Sequence, residues 1–389
     1  MTLPLLAWRN LWRNPPRTIL TVASLAFSLF LFSMLSATVD SMCAVSVESA
    51  KRLRLVVHHK TTVTKLLPLS HAGRIAAIPG VRAVCGMRWF GGRPIESQEQ
   101  FPSMAVDHAA VPIAFDDLEL AAPEWASWSA EKTAAIVGQG LADRMGWKRG
   151  DRATLKGTVP PYLSLEFHIV AITSAPAYPN VFIFRFDYLH DVLRADPMMP
   201  VEHDDATNLY WVKVDSHRVI ERVRQAIDAA CATTGDPTRT EMEEVFVTQF
   251  TKMFGDIPGI LRQVGLIVLV SILLVVFNTI STSVRERVGE LAVLKAIGFT
   301  PGRLFGTVVG ESVLMGLMGG ILGVLPALGA FGFFSGAGLN MPYFPVIIVS
   351  TPVALGGIAA SALIGLTAAL PAAQRAARLS VVTALRDLE

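Results

Sequence analysis

Four apolar runs, each long enough to cross a bilayer as a helix, constrain this chain more than any other feature of its sequence. About 20 consecutive apolar residues span the hydrocarbon core as helix. Segments 19–39, 258–282, 304–334 and 346–370 meet that length, the first two centred on ILTVASLAFSLFLFSMLSATV and VGLIVLVSILLVVFNTI. Pro258 suits a first helical turn. The last two runs are rich in glycine and proline, which bilayer helices tolerate better than soluble ones. Only 17% of the 389 residues are charged and 52% are hydrophobic, as several spans plus a folded domain require. The fold class expected is an α-helical membrane protein with four transmembrane helices and a large mixed α/β domain between the first two.

Basic residues orient the spans. Arg9, Arg13 and Arg17 precede the first, Arg285, Arg287, Lys295 and Arg303 follow the second, and Arg375, Arg378 and Arg386 follow the fourth. The loop between spans three and four, SGAGLNMPYFP, has no lysine or arginine. All three clusters fall on one side, so both termini are expected in the cytoplasm of an inner-membrane protein, with segment 40–257 outside. The cytoplasmic parts are then an amphipathic segment at 1–18, a helix at 283–303 and a tail at 371–389. A cleaved signal peptide is the rival for the first run. Its length, and the lack of a small-x-small site in SATVDSM, favour an uncleaved span.

The outer segment reads as α/β. RLRLVVHH, SLEFHIVAI, NVFIFRF and NLYWVKV have strand composition and are bounded by turn residues. SHRVIERVRQAIDAACATTG reads as a helix with Val219, Val223, Ile227 and Ala230 on one face and Ser216 as a cap. EMEEVFVTQFTKMFGD puts Met242, Val245, Phe246, Phe250 and Met253 on one stripe, either of a core helix or of a stalk running into span two. Cys85 and Cys231 are expected as isolated thiols rather than a bridge, since three cysteines make no disulfide framework.

All eight histidines lie in this segment, the densest cluster being Glu202 to Asp205 with His190 upstream. No HExxH, Cys/His ligand spacing or GxSxG elbow accompanies them, so no metal, catalytic residue or enzyme activity is expected. The net charge of +2 gives no nucleic-acid footprint. No GxxxxGK[ST] occurs, so ATP hydrolysis, if it powers this chain, is expected in another polypeptide. Four spans are few for a transport path and suggest two copies, or one with a related subunit.

The stretch SVRERVGELAVLKAIGFTPGRLF interrupts two apolar runs with one charged amphipathic helix. Val284, Val288, Leu291 and Leu294 recur at helical spacing, while Arg285, Glu286, Arg287, Glu290, Lys295 and Arg303 carry charge. Such a helix fits either the headgroup layer or a docking surface for a partner. Small residues recur at four-residue spacing in span three (Gly316 and Gly320; Gly319, Gly323 and Ala327) and span four (Gly357, Ser361 and Gly365). They suit close helix packing, within one subunit or between two. Glu311 stands alone among apolar residues, and Arg13, Arg17 and Lys295 are its expected partners.

Arg287, Glu290 and the run LAVLKAIG through Gly298 resemble the cytoplasmic motif of FtsX/MacB-type ABC transporter permeases, the type VII systems. Glu311 with Gly316, Gly319, Gly320 and Gly323, the closing PAAQRAARLSVVTALR, and the opening LAWRNLWRNPPRTILT are similar to that family as well. IVGQGLADRMGWKRGDRATLKG looks like part of a MacB-type periplasmic core domain. Ala292 stands where the family usually has glycine, a mild change in a helix.

The resemblance implies a permease that passes ATP-driven motion of a separate ABC ATP-binding subunit to its outer domain. Its work would be export or extraction of lipoprotein, lipid, peptide or amphiphilic substrates. The alternative it implies is a regulatory transducer activating a cell-wall hydrolase. The implied partners are the ATPase, a second permease copy (identical or related), a periplasmic adaptor or membrane-fusion protein, and lipids. No cofactor is expected in this chain. The helix with Arg285, Glu286, Arg287, Glu290, Leu291, Leu294, Lys295 and Gly298 would dock on the ATPase.

Overall fold

The computed structural model describes residues 10, 12, 14–97, 99–160, 162–195, 205–253, 255–336 and 349–378. Most of the expected N-terminal segment, the loop beyond Gly336 and the tail beyond Arg378 lie outside these residues. So do Glu202, His203 and Asp204. The chain divides into two compact units, one of membrane-length helices and one comprising 42–255.

The chain enters through α1 (Pro15–Ala50) and then builds the α/β unit. In order come β1 (Arg54–His59), β2 (Leu67–Pro68), α2 (Ser70–Ala76), β3 (Val81–Trp89), β4 (Gly92–Pro94) and β5 (Ser103–Val106). Next are α3 (Val111–Ala114), α4 (Ala122–Ala130), β6 (Ala134–Gly138), α5 (Gln139–Met145), β7 (Arg152–Gly157) and β8 (Ser164–Thr173). The unit closes with β9 (Phe182–Arg185), α6 (Phe186–Ala195), β10 (Ala206–Thr207), β11 (Leu209–Val214), α7 (Ile220–Cys231), β12 (Thr238–Met242) and α8 (Glu243–Met253). Four long helical stretches are completed by α9 (Ile257–Glu286), α11 (Pro301–Gly336) and α12 (Thr351–Arg378), with the short α10 (Val288–Ala296) between α9 and α11.

Ten strands form one sheet in the order β12-β1-β11-β3-β5-β9-β6-β8-β7-β4. Pairing is antiparallel except for β5 with β9 and β6 with β8. The period-2 alternation of strands sorts side chains to two faces. Leu55, Val57, Tyr210 and Val212 pack with Ile75 of α2 and with Val223 and Ile227 of α7. Val56 and Trp211 point the other way, to Trp128 of α4 and Phe246 of α8. Cys85 belongs to that second cluster and Cys231 lies on α7, on the opposite side of the sheet. Both thiols are free and buried, and burial pushes the pKa of each up.

Some local expectations need correction. The buried face of α7 is Val223, Ile227 and Cys231, with Ala230 exposed. A helical turn at 217–219 precedes α7, and the Ser216 side chain makes no capping bond. Helix α8 is a core helix: Phe246 packs against Trp211 and Phe250 stacks on Trp89. It does not run on into α9, because Gly255 adopts φ +105° and Asp256 starts a new helix by accepting the Gly259 N–H at 3.1 Å.

A network of charges ties the chain segment after α1 to the start of α8. The fully buried Arg54 side chain donates to Glu243 Oε2 at 2.6 Å, Asp117 Oδ1 at 3.0 Å and Tyr178 Oη at 2.7 Å. Its guanidinium lies 4.6 Å from the centre of the Phe115 ring. Burial works against the charge of Arg54, but Tyr178, Glu243 and Asp117 outweigh it and hold the pKa above the usual arginine value.

Four helices among the described residues have the length and apolar character to cross a membrane: Pro15–Met42, Ile257–Glu286, Pro301–Gly329 and Thr351–Arg378. The α/β unit lies between the first and second in the chain. Helix α11 starts at Pro301, so Glu311 sits three turns into it rather than at its beginning.

Candidate functional site

The charged stretch is two pieces, not one helix. Arg285 and Glu286 are the last turn of α9, and Arg287 breaks the helix at φ −106°, ψ 14°. Nine residues of α10 follow. Gly298 ends it at φ +104°, in the left-handed region that glycine enters without cost. The Gly298 N–H donates to Lys295 O at 3.1 Å and the Phe299 N–H to Leu294 O at 3.0 Å, the paired bonds of a Schellman cap.

One face of α10 is held by the membrane unit. Leu291 and Ala292 are buried, and Leu291 joins Leu304, Val308, Ile364 and Ala373 in a common apolar cluster. The small Ala292 side chain is wholly enclosed. Leu294 packs against the same cluster, and Lys295 Nζ donates to Ala377 O on α12 at 3.1 Å. Of the residues expected on a docking surface, Leu291 is buried against the membrane unit, while Leu294 and Lys295 are half-buried beside it. The outward face carries Glu290 with Val293, 47% exposed, and Ile297, 74% exposed. Helical geometry sets these three at i, i+3 and i+7.

Beneath α10 lies its electrostatic anchor. Arg287 donates to both carboxylate oxygens of Glu311, at 3.2 and 3.0 Å, and approaches Glu290 at 3.5 Å. Asn10 Nδ2 donates to Glu311 Oε1 at 2.6 Å. Glu311 is 9% exposed, so its charge depends on these donors. Among the described residues its arginine is Arg287 rather than the expected Arg17 or Lys295, and the expected partner Arg13 lies outside them. Arg17 instead forms a two-pronged pair with Glu286 at the end of α9. The physical reason is the break at Arg287, which frees that side chain from the α9 surface. Charge spacing alone does not disclose such a break, although Arg287 was already in the motif. Nothing in the sequence singles out Asn10.

The small-residue stripes pack the helices of one chain. A Cβ at Gly316 would lie 2.5 Å from Ser361 O on α12, and one at Gly319 2.5 Å from Leu25 Cβ on α1. Gly320 likewise meets Ser361, Gly365 meets Ser312 O, and Gly323 meets Ala26 O. Gly357 sits between Val324 and Ser33. Within the subunit the close faces of these residues are occupied by neighbouring helices.

The histidines make local contacts. His168 Nδ1 lies 2.7 Å from Glu131 Oε2, and His190 Nε2 lies 3.3 Å from Asp205. Among the described residues no three His, Cys, Asp or Glu side chains gather as a metal site.

The family described as FtsX-like permease C-terminal matches residues 263–381, which contain α10, α11 and α12. The uncharacterized ABC transporter permease YknZ of Bacillus subtilis (strain 168) is 35% identical over 136 residues, covering 35% of this chain and 31% of YknZ. The macrolide export ATP-binding/permease protein MacB of Sodalis glossinidius is 37% identical over 110 residues, covering 28% of this chain and 16% of MacB. The chain thus spans less than a third of the length of these curated relatives. The extracellular domain of YknZ superposes with TM-score 0.34 and 9% identity, over 48% of this chain and 99% of that domain. The periplasmic region of MacB from Actinobacillus actinomycetemcomitans gives TM-score 0.34 and 8% identity, over 51% and 92%. Four bilayer-length helices with an α/β domain between the first two make this a multi-pass membrane protein, and its residues 263–381 match the FtsX-like permease C-terminal family.

Proposed function

We propose that this chain is the permease subunit of an ABC system, moved by an ATPase on a separate polypeptide. The observation that carries this reading is the division of α10 into two faces. Leu291 and Ala292 root the helix in the membrane unit, while Val293 and Ile297 stand exposed beside Glu290. A helix lying passively on lipid headgroups needs no such root, and Arg287 would face phosphates rather than Glu311. A partner pushing on Val293 and Ile297 would move α10 together with α11, through Leu304 and Glu311.

The one-sided basic clusters support an orientation with α10 and both termini on the cytoplasmic side of the inner membrane and the α/β unit outside. With that orientation, motion of α9 and α1 is delivered to the outer domain by covalent continuity. The work proposed is export or extraction of lipoprotein, lipid, peptide or amphiphilic cargo. The large α/β domain favours this over activation of a cell-wall hydrolase. Affinity purification of the full chain from native membranes tests the reading. Recovery of an ABC ATPase supports it, and recovery of a hydrolase with the ATPase selects the regulatory role. Purification without any ATPase, under conditions that preserve complexes, contradicts both.

A further inference from the structure

One corner of the α/β unit holds two buried histidines against one short segment. His59 ends β1 and His71 lies on α2. Residues 232–237, which join α7 to β12, pass beside both rings. The Thr234 hydroxyl gives its hydrogen to Cys231 O at 2.7 Å, so its oxygen accepts from His71 Nε2 at 3.2 Å. His71 Nδ1 is then the bare nitrogen, buried and with no hydrogen-bond partner among the described residues. At His59 the Thr61 N–H points to Nδ1 at 3.1 Å and the Lys65 ammonium to Nε2 at 3.1 Å. Both donors seek a lone pair, so a ring carrying two protons would satisfy neither. Asp236 Oδ1 is the nearby acceptor, but it lies 3.9 Å from His59 Nε2 and pairs with Lys65 at 3.2 Å.

Neither imidazolium fits this closed corner. Burial first, then Lys65 and His58, hold the pKa of His59 below the ordinary 6.5. Burial first, then Arg74 of α2, do the same for His71, and Asp236 opposes the shift at both rings without reversing it. The remaining groups around the corner do not answer a charged ring. Asp228 of α7 is engaged by Thr238 and Thr240, Tyr210 of β11 donates to Pro68 O, and burial pushes the Cys231 thiol up. We propose that this corner is an acid-released catch, in which proton uptake by His59 and His71 frees residues 232–237 from α2 and the end of β1. The closed form is favoured above about pH 6.5 and loses ground as the pH falls below it, because the open form binds protons more readily. The Lys60 N–H donates to Pro237 O at 2.9 Å, and β12 follows at once as the edge strand beside β1. Release therefore loosens β12, which leads into α8. With the α/β unit outside, as proposed above, the catch reads the acidity of that compartment; the release itself does not depend on the ATPase reading.

The test is hydrogen exchange of the full chain in lipid nanodiscs from about pH 7.5 to about pH 5.5, corrected for intrinsic exchange. Protection of residues 232–242 is expected to be lost across that range while β6 keeps its own. His59→Asn keeps an acceptor where Nδ1 stands, and His71→Gln keeps a donor where Nε2 stands. The double variant should therefore hold its protection at the acid end. Each single variant should hold part of it, which keeps the test decisive if the double variant fails to fold. His168→Gln, at the Glu131 pair, should lose protection as the unaltered chain does. A flat profile in the unaltered chain overturns the proposal, as does equal loss in β6. So does acid loss in a folded double variant, loss in both single variants as complete as in the unaltered chain, or an acid response abolished by His168→Gln.

Discussion

Arg287 reaches across from the joint between α9 and α10 to hold Glu311 of α11 at 3.0 Å, while Asn10 holds the same carboxylate at 2.6 Å. One carboxylate thereby joins Asn10, the α9–α10 joint and α11. On the proposed function, a motion entering at α10 would reach the helices through this point and through the Leu291 cluster.

Glu311→Gln preserves shape and removes the charge that Arg287 neutralises. A hydrogen bond to a charged group is worth about 1.5–3 kcal/mol, so the anchor should loosen without loss of membrane insertion. ATP-dependent activity in reconstituted vesicles should fall by more than the expression level does. Exchange of the pair, Arg287→Glu with Glu311→Arg, should recover part of the loss. Wild-type activity in Glu311→Gln would make Glu311 a bystander.

Leu291 and Ile297 should respond in opposite ways. Leu291→Asp puts a carboxylate into the apolar cluster and should lower the detergent-phase melting temperature of the whole membrane unit. Ile297→Asp changes an exposed position, so stability should hold while ATPase recovery drops about thirtyfold, the scale of a hot-spot loss of about 2 kcal/mol. Both are read from one preparation, by thermal unfolding and by quantitative pull-down.

The glycines separate by their neighbours. Gly316→Leu drives a side chain into the α12 backbone and should destabilise by about 1–3 kcal/mol, whereas Gly356→Leu enters open space. Thermal aggregation of the two variants in detergent should differ by several degrees. Equal behaviour would mean that α11 and α12 are not in contact at Gly316.

In the outer domain, Arg54→Met leaves Glu243 buried without its strongest donor and should cost about 3–5 kcal/mol. Arg54→Met with Glu243→Gln should cost less than Arg54→Met alone, since the stranded charge is gone. Hydrogen exchange of β1 and α8 in the full chain measures the difference.

Elements governed by periodicity and bulk hydropathy were legible in the sequence. The four spans and the strands around Val56, Phe167, Phe184 and Trp211 are of this kind, because burial imposes a period on neighbouring residues. The motif around Arg287 and Glu290 located the candidate site. What the sequence withheld depends on single backbone breaks and on contacts remote along the chain. The turn at Arg287 splits one expected helix into two, and this hands Glu311 to Arg287 and turns Leu291 inward. Val293 and Ile297 are apolar yet stand outside, because Leu291 and Ala292 fill the inner face. The Asn10 contact joins residues 301 apart in sequence, and no local pattern announces it.

The central claim is that the outer face of α10 receives an ATPase, and a photoreactive amino acid placed at Ile297 of the full chain in native membranes tests it most directly. Irradiation should yield one cross-linked protein whose peptides carry a GxxxxGK[ST] loop, and the same probe at Ile267 should not yield it. Adducts at Ile297 to lipid alone, with no ATPase captured, would contradict the account.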